Sequence, residues 1–171
     1  MGRDKKNEKR REHFAQLKRH IMQEPAWRAL RPVAQALYPW LLLEWHGGNA
    51  NNNGDIQLST RQAADCLGVN RNTAAGAFHD LQAKGFIVVT KPAQLGSSGN
   101  AKSPSFELTE IALPTATSGR RLYKNWTQGA DFPVKGTSSN NPRGRNGKEK
   151  PRHENRDRNV LNFVTSNGRT S

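Results

Sequence analysis

The chain has 171 residues, with 27 Lys and Arg against 14 Asp and Glu, a formal net charge of +13 and a sequence pI near 10.6. Its hydrophobic fraction of 33% is too low for one close-packed globule. No apolar run approaches the ~18 residues of a membrane helix, and the opening MGRDKKNEKRREHF lacks the apolar core of a secretion signal. The single cysteine, Cys66, excludes an intramolecular disulfide and a cysteine-based zinc site. The expectation is a soluble protein of a reducing, cytoplasmic compartment whose charge calls for a polyanionic partner, nucleic acid first.

The charge is uneven along the chain. Residues 1–24 carry eight basic and four acidic side chains, residues 25–114 seven and six, and residues 115–171 twelve and four. The near-neutral middle also holds most of the large apolar residues, whereas 135–171 contain only Val160, Leu161, Phe163 and Val164 of that class. This predicts a basic disordered arm over 1–12, a folded domain over 13–126 and a basic disordered tail over 127–171, because the flanks cannot bury enough surface to offset ordering entropy. The short VLNFV patch is either part of that tail or a docking segment for a protein partner.

In the middle segment, Leu30, Val33, Leu37, Leu41 and Trp45 recur at three- and four-residue spacing, which predicts a helix over about 32–46 with Pro32 in its first turn. Pro39 should kink or split it. GGNANNNG (47–54) reads as a loop on turn chemistry, and 55–58 (DIQL) as a short strand. Ser59 and Gln62 form a capping box that opens a helix carrying Ala63, Ala64 and Leu67, closed by Gly68. Asn70 caps a second helix to about Lys84, with Ala74, Ala77, Phe78 and Leu81 on one face and Gly85 after its end. FIVVTK (86–91) and SFELTEI (105–111) read as strands of a hairpin, with the Gly- and Ser-rich 92–103 as a loop. The order helix, strand, helix, helix, strand, loop, strand is that of an α+β winged helix-turn-helix with a β-hairpin wing.

Within TRQAADCLGVNRNTAAGAFHDL (60–81), Ala64 supplies the small residue where the helices touch and Gly68 the residue tolerant of positive φ. Val69, Ala74 and Phe78 would fill the angle between them. A second helix lying in the major groove would present Asn70, Arg71, Asn72, Thr73, Ala75, Gly76 and His79 to the bases. Arg71 can pair bidentately with guanine and Asn72 with adenine. Ala75 and Gly76 lack bulk, and Gly76 fits either close approach or packing. Ser59, Thr60 and Arg61 are candidate phosphate contacts, as are Lys91 and Lys102 beside the wing loop. The alternative for the same elements is a helical hairpin that binds protein.

EPAWRALRPVAQALY, the Asn/Gly-rich loop before DIQLSTRQAA, LGVNRNTA, LQAKGFIVVTK and FELT resemble a family of winged-helix proteins encoded on bacterial plasmids, prophages and integrative elements, mostly of α-proteobacteria. The resemblance spans about 14–126, with LYKNW (122–126) similar to the family's closing aromatic motif. It implies a double-stranded DNA-binding regulator of an element's transfer or replication, repressor-like and nucleoid-associated, with winged-helix replication initiators as the alternative. It also implies a lead-in strand over 13–17 and a short helix over 21–27. Pro39 and the Ser-rich wing depart from the family, whose helix is uninterrupted and whose wing often carries arginines. Trp27, Trp40 and Trp45 are expected in the core, with Tyr123 and Trp126 packed back onto the domain.

No metal-ligand spacing, paired-carboxylate pattern or phosphate-binding glycine loop is present, so neither an enzyme nor a cofactor is expected. Cys66 is expected to be a buried, inert thiol. No heptad pattern is present, so a homodimer would use the first helix, the N-terminal arm or Trp126.

Overall fold

The computed structural model describes residues 14–95 and 101–136. The arm over 1–12, residues 137–171 of the tail expected over 127–171, and with them the Val160–Leu161–Phe163–Val164 patch, lie outside the described residues. The described chain is α+β: helices α1 (Arg19–Met22), α2 (Pro25–Arg28), α3 (Pro32–Leu43), α4 (Thr60–Leu67) and α5 (Arg71–Ala83) pack beside a three-stranded antiparallel sheet. Its strands are β1 (Ile56–Gln57), β2 (Ile87–Lys91) and β5 (Ser105–Leu108), in the order β1-β5-β2. This arrangement is compatible with a winged helix.

The segment leading into α3 differs from expectation. Residues 14–17 form no strand and belong to no ladder of the sheet; Ala15 and Leu17 instead pack on the core, while Phe14 is 77% exposed. The short helix expected over 21–27 is two single turns, because Pro25, which has no N–H to continue the first, starts the second at its N1 position. Pro39 neither splits nor ends α3, which runs unbroken over Pro32–Leu43. The proline removes one helical hydrogen bond, but Ala34, Leu37, Tyr38, Leu41 and Leu42 stay buried along one face, and their burial outweighs that loss. Trp40 falls beside that row and is 38% exposed, a correction to its expected core position. Trp45 is half-buried, its Nε1 donating to Asn51 Oδ1 at 3.0 Å.

Trp27, Tyr38, Phe86 and Tyr123 make the aromatic centre. Phe86 meets Trp27 and Tyr38 edge-on at 5.5 and 5.6 Å between centroids and stacks on Tyr123 at 4.9 Å. These rings tie α2, α3, the start of β2 and the closing segment together. Burial, together with the Glu110 carboxylate that accepts from its hydroxyl, holds Tyr38 well above the usual phenol pKa.

The Asn-rich loop is more than a turn. Asn53 is buried: its Nδ2 donates to the carbonyls of Leu108 and Ile111 at 3.0 and 2.8 Å, and its Oδ1 accepts from the Leu108 amide at 2.8 Å. The loop thereby closes the end of β5 with side-chain amides in place of another strand.

β5 pairs with β1 through Ile56↔Phe106 and with β2 through Ile87↔Leu108, with a register shift at Thr90, whose hydroxyl donates to the carbonyls of Gly54 and Ser105. All four β5 residues are buried, on both faces of the strand. Arg120, from the chain after the sheet, covers Glu107 with an ion pair. The segment 92–103 is not loop alone: β3 (Gln94–Leu95) pairs with β4 (Ala101–Lys102), prolonging the β2–β5 hairpin through backbone bonds that composition does not register. Tyr123 and Trp126 pack back as expected. The first residues of the tail expected over 127–171 are packed, not disordered: Phe132 lies on the core with its amide donating to Ala83, and the Lys135 amide donates to Gln82 Oε1.

Gly85 is what lets this closing segment dock. Its φ is +77°, and a Cβ there would lie 2.9 Å from the Tyr123 amide and 2.8 Å from the Phe132 ring. Asp131 completes the docking, accepting from Trp126 Nε1 at 2.8 Å and pairing with Lys84 Nζ at 2.9 Å, while Lys84 also lies over the Trp126 ring.

Asn53→Ala should cost on the order of 2–4 kcal/mol in denaturant unfolding, because it strips buried backbone groups of their partners. The Trp126 and Lys84 contacts hold the Asp131 pKa below its ordinary value. Its contribution is therefore full above the usual carboxylate range and lost as pH falls through the depressed folded value. Wild-type protein should show a downturn in melting temperature over that acid range that is shallower in Asp131→Asn.

Candidate nucleic-acid interface

The surface is built by two caps and one turn. Ser59 Oγ accepts from the Gln62 amide while Gln62 Oε1 accepts from the Ser59 amide, which fixes the start of α4. Gly68 ends α4 in the left-handed region, at φ 65°, and the Val69 amide turns back to the Ala64 carbonyl at 3.0 Å. Asn70 Oδ1 then accepts from the Thr73 amide at 2.8 Å and opens α5. Ala64, Ala74 and Phe78 are buried where α4 and α5 meet, with Val69 partly so, and Phe78 stacks on Phe106 of β5 at 5.0 Å.

With that row inward, the opposite row faces out. Arg71, Asn72, Ala75 and His79 are exposed, and Thr73 and Gly76 are half-buried at its edge. Neither Arg71 nor Asn72 has a side-chain hydrogen bond or ion pair among the described residues, so their full donor and acceptor sets face solvent. Asn70 is different, since the cap occupies its side-chain oxygen. His79 lies at the far end of the row, near enough to Asp131 to help lower its pKa.

The expected phosphate contacts divide in the same way. Arg61 is exposed at the start of α4 and Lys102 is exposed on β4. Thr60 is half-buried, the Ser59 hydroxyl is engaged with Gln62 inside the capping box, and Lys91 is paired with Asp55 across the base of the hairpin. Cys66 is exposed, not buried: α4 turns Ala63 and Ala64 inward, and position 66 falls on the other side.

One residue here has no local sequence signal. Arg31 stands just before α3, and its amide donates to Asp80 Oδ2 at 2.8 Å, with its Nε 3.5 Å from the same oxygen. Its Nη2 donates to the Gly76 carbonyl. The guanidinium lies on Gly76, where a Cβ would come within 3.0 Å of Nη2, which gives that glycine a packing role. Arg31 thus shares an open cleft of about 490 Å³ with Asn70, Arg71, Asn72 and Thr73. Its partner Asp80 is 49 residues away, so neither position marks the other along the chain.

Among the described residues no group of three or more His, Cys, Asp or Glu could hold a metal ion, and no helix is long and apolar enough to cross a membrane. Compared with known proteins, the chain matches no family model, no curated protein and no solved structure.

Capping and display separate by mutation. Asn70→Ala should lower unfolding stability by about 1 kcal/mol, the usual loss for an N-cap. Arg71→Ala and Asn72→Ala should each stay within about 0.5 kcal/mol of wild type in the same denaturant titration, as exposed positions without partners do.

Proposed function

We propose that the chain is a sequence-specific double-stranded DNA-binding protein of winged-helix type, a regulator of transcription, with α5 as the helix that enters the major groove. The observation that carries this reading is the exposed Arg71–Asn72 pair at the start of α5, whose side chains have no hydrogen-bond or ion-pair partner among the described residues and which is followed by the flat Ala75. Arginine and asparagine are the side chains whose paired donors and acceptors match guanine and adenine edges. The N-terminal half of a recognition helix is where such groups reach base edges.

The remaining features fit the same reading. Arg61 on α4 and Lys102 on the hairpin are exposed cations to either side of α5 in the chain, suited to flanking phosphates. The flanks outside 25–114 carry most of the +13 charge, which supplies attraction to any duplex and no sequence preference.

Selection of bound duplexes from a random library with the full chain should return one recurrent site. Arg71→Ala and Asn72→Ala should each reduce preference for that site over random duplex by roughly 5- to 100-fold, the range for loss of a bidentate base contact, with most non-specific affinity retained. A library that yields no enriched sequence, or variants that weaken selected and random duplex equally, overturns base reading by α5.

A further inference from the structure

We infer that Arg31 is a built-in phosphate contact of the α5 face, held in place by Asp80 and seated on Gly76; this rests on the duplex-binding reading above.

Three observations converge on that arginine. Asp80 is only 8% exposed on α5, and its Oδ2 receives the Arg31 amide at 2.8 Å and lies 3.5 Å from Arg31 Nε. The guanidinium is fixed a second time by the Nη2 bond to the Gly76 carbonyl. Gly76 in turn leaves the room for it, since a Cβ would press within 3.0 Å of Nη2 and 3.3 Å of Nη1.

The anchor uses the inner side of the fork. A guanidinium has five N–H donors. Among the described residues one is directed to Asp80 and one to Gly76, which leaves both on Nη1 and one on Nη2. The Arg31 side chain is 59% exposed, so those donors face solvent beside the cleft it shares with Asn70, Arg71, Asn72 and Thr73. A planar fork with spare donors suits two oxygens of one phosphate. Its fixed placement means that less side-chain freedom is lost on binding than for a free surface arginine.

This placement also distinguishes Arg31 from Arg71. Arg71 extends from α5 itself with no side-chain partner among the described residues, which leaves its whole fork available to a base edge. Arg31 comes from the start of α3 and is tied to the side of α5 at Gly76 and Asp80, which suits a backbone contact that sets the helix's register in the groove. Glycine in a helix interior is unfavourable relative to alanine, and here it makes room for a charged group.

The test uses the full chain, the duplex selected above and a random duplex of equal length, titrated over a range of salt concentrations. Arg31→Gln, which retains the backbone N–H hydrogen bond to Asp80 Oδ2, should weaken binding to both duplexes about tenfold near 0.1 M salt and reduce the salt slope by about 1. Arg31→Lys should restore the slope with only part of the affinity, because the charge returns without the fork. Gly76→Ala should weaken binding about two- to threefold by displacing the guanidinium, and should have no effect in an Arg31→Gln background. Unchanged affinity and slope in Arg31→Gln, with a lowered melting temperature only, would mean a purely structural arginine and overturns the inference. So does a Gly76→Ala loss of equal size in both backgrounds, which would mean that the glycine is there for direct approach of the duplex. Failure of the wild-type chain to bind duplex overturns both readings, whereas unchanged affinity and salt slope in Arg31→Gln, with Arg71→Ala still acting on site preference, overturns only this one.

Discussion

The rotation of α5 about its own axis is the constraint on which the rest of the surface depends. Ala74, Ala77, Phe78 and Leu81 are all at most 1% exposed, and burial of side chains the size of Phe78 and Leu81 contributes about 1.5–3 kcal/mol each. Turning the helix by one residue, about 100°, would withdraw Phe78 from Phe106 and drive a polar residue inward. Asp80 adds a polar stop, since its carboxylate faces Arg31 and is nearly out of solvent. With the inner row fixed, Arg71, Asn72, Ala75 and His79 have no freedom to face anywhere but outward. The presented surface is therefore a consequence of core packing.

That dependence explains which parts could be read along the chain. The capping box of Ser59 and Gln62, the Asn70 cap and the positive φ at Gly68 and Gly85 are local chemistry, decided within three or four residues, and all of them form. The inner row of α5 follows from its spacing for the same reason. Other features depend on what lies across the fold. Arg31 needs Asp80, Asn53 needs Leu108 and Ile111, and Glu107 needs Arg120. Trp40 and Cys66 show the converse error: residue type favours burial for both, but their helices turn them away from the core. The β3–β4 pairing eluded composition because backbone bonds carry a hairpin onward through side chains with little preference for a strand.

The described residues carry 13 Lys and Arg against 8 Asp and Glu, and ion pairing gives that surplus a direction. Lys18 is paired with Glu110, Lys84 with Asp131, Lys91 with Asp55 and Arg120 with Glu107. Each pair spends a cation on holding elements together. Arg61, Arg71 and Lys102 have no carboxylate partner among the described residues, and they lie on α4, α5 and the hairpin. Arg31 combines the two conditions, tethered on one side and open on the other. The exposed Asp65 on α4 subtracts from this local field. Arg19, Arg28, Arg121, Lys124 and Lys135 also have no ion-pair partner among the described residues, but none of them lies on α4, α5 or the hairpin, and at physiological salt charges more than ~8 Å apart are largely screened. On the proposed reading the flanks would therefore supply most of the non-specific attraction, and α5 would be left to discriminate through geometry. That division requires the cations near α5 to be few, because surplus charge there would bind every sequence alike.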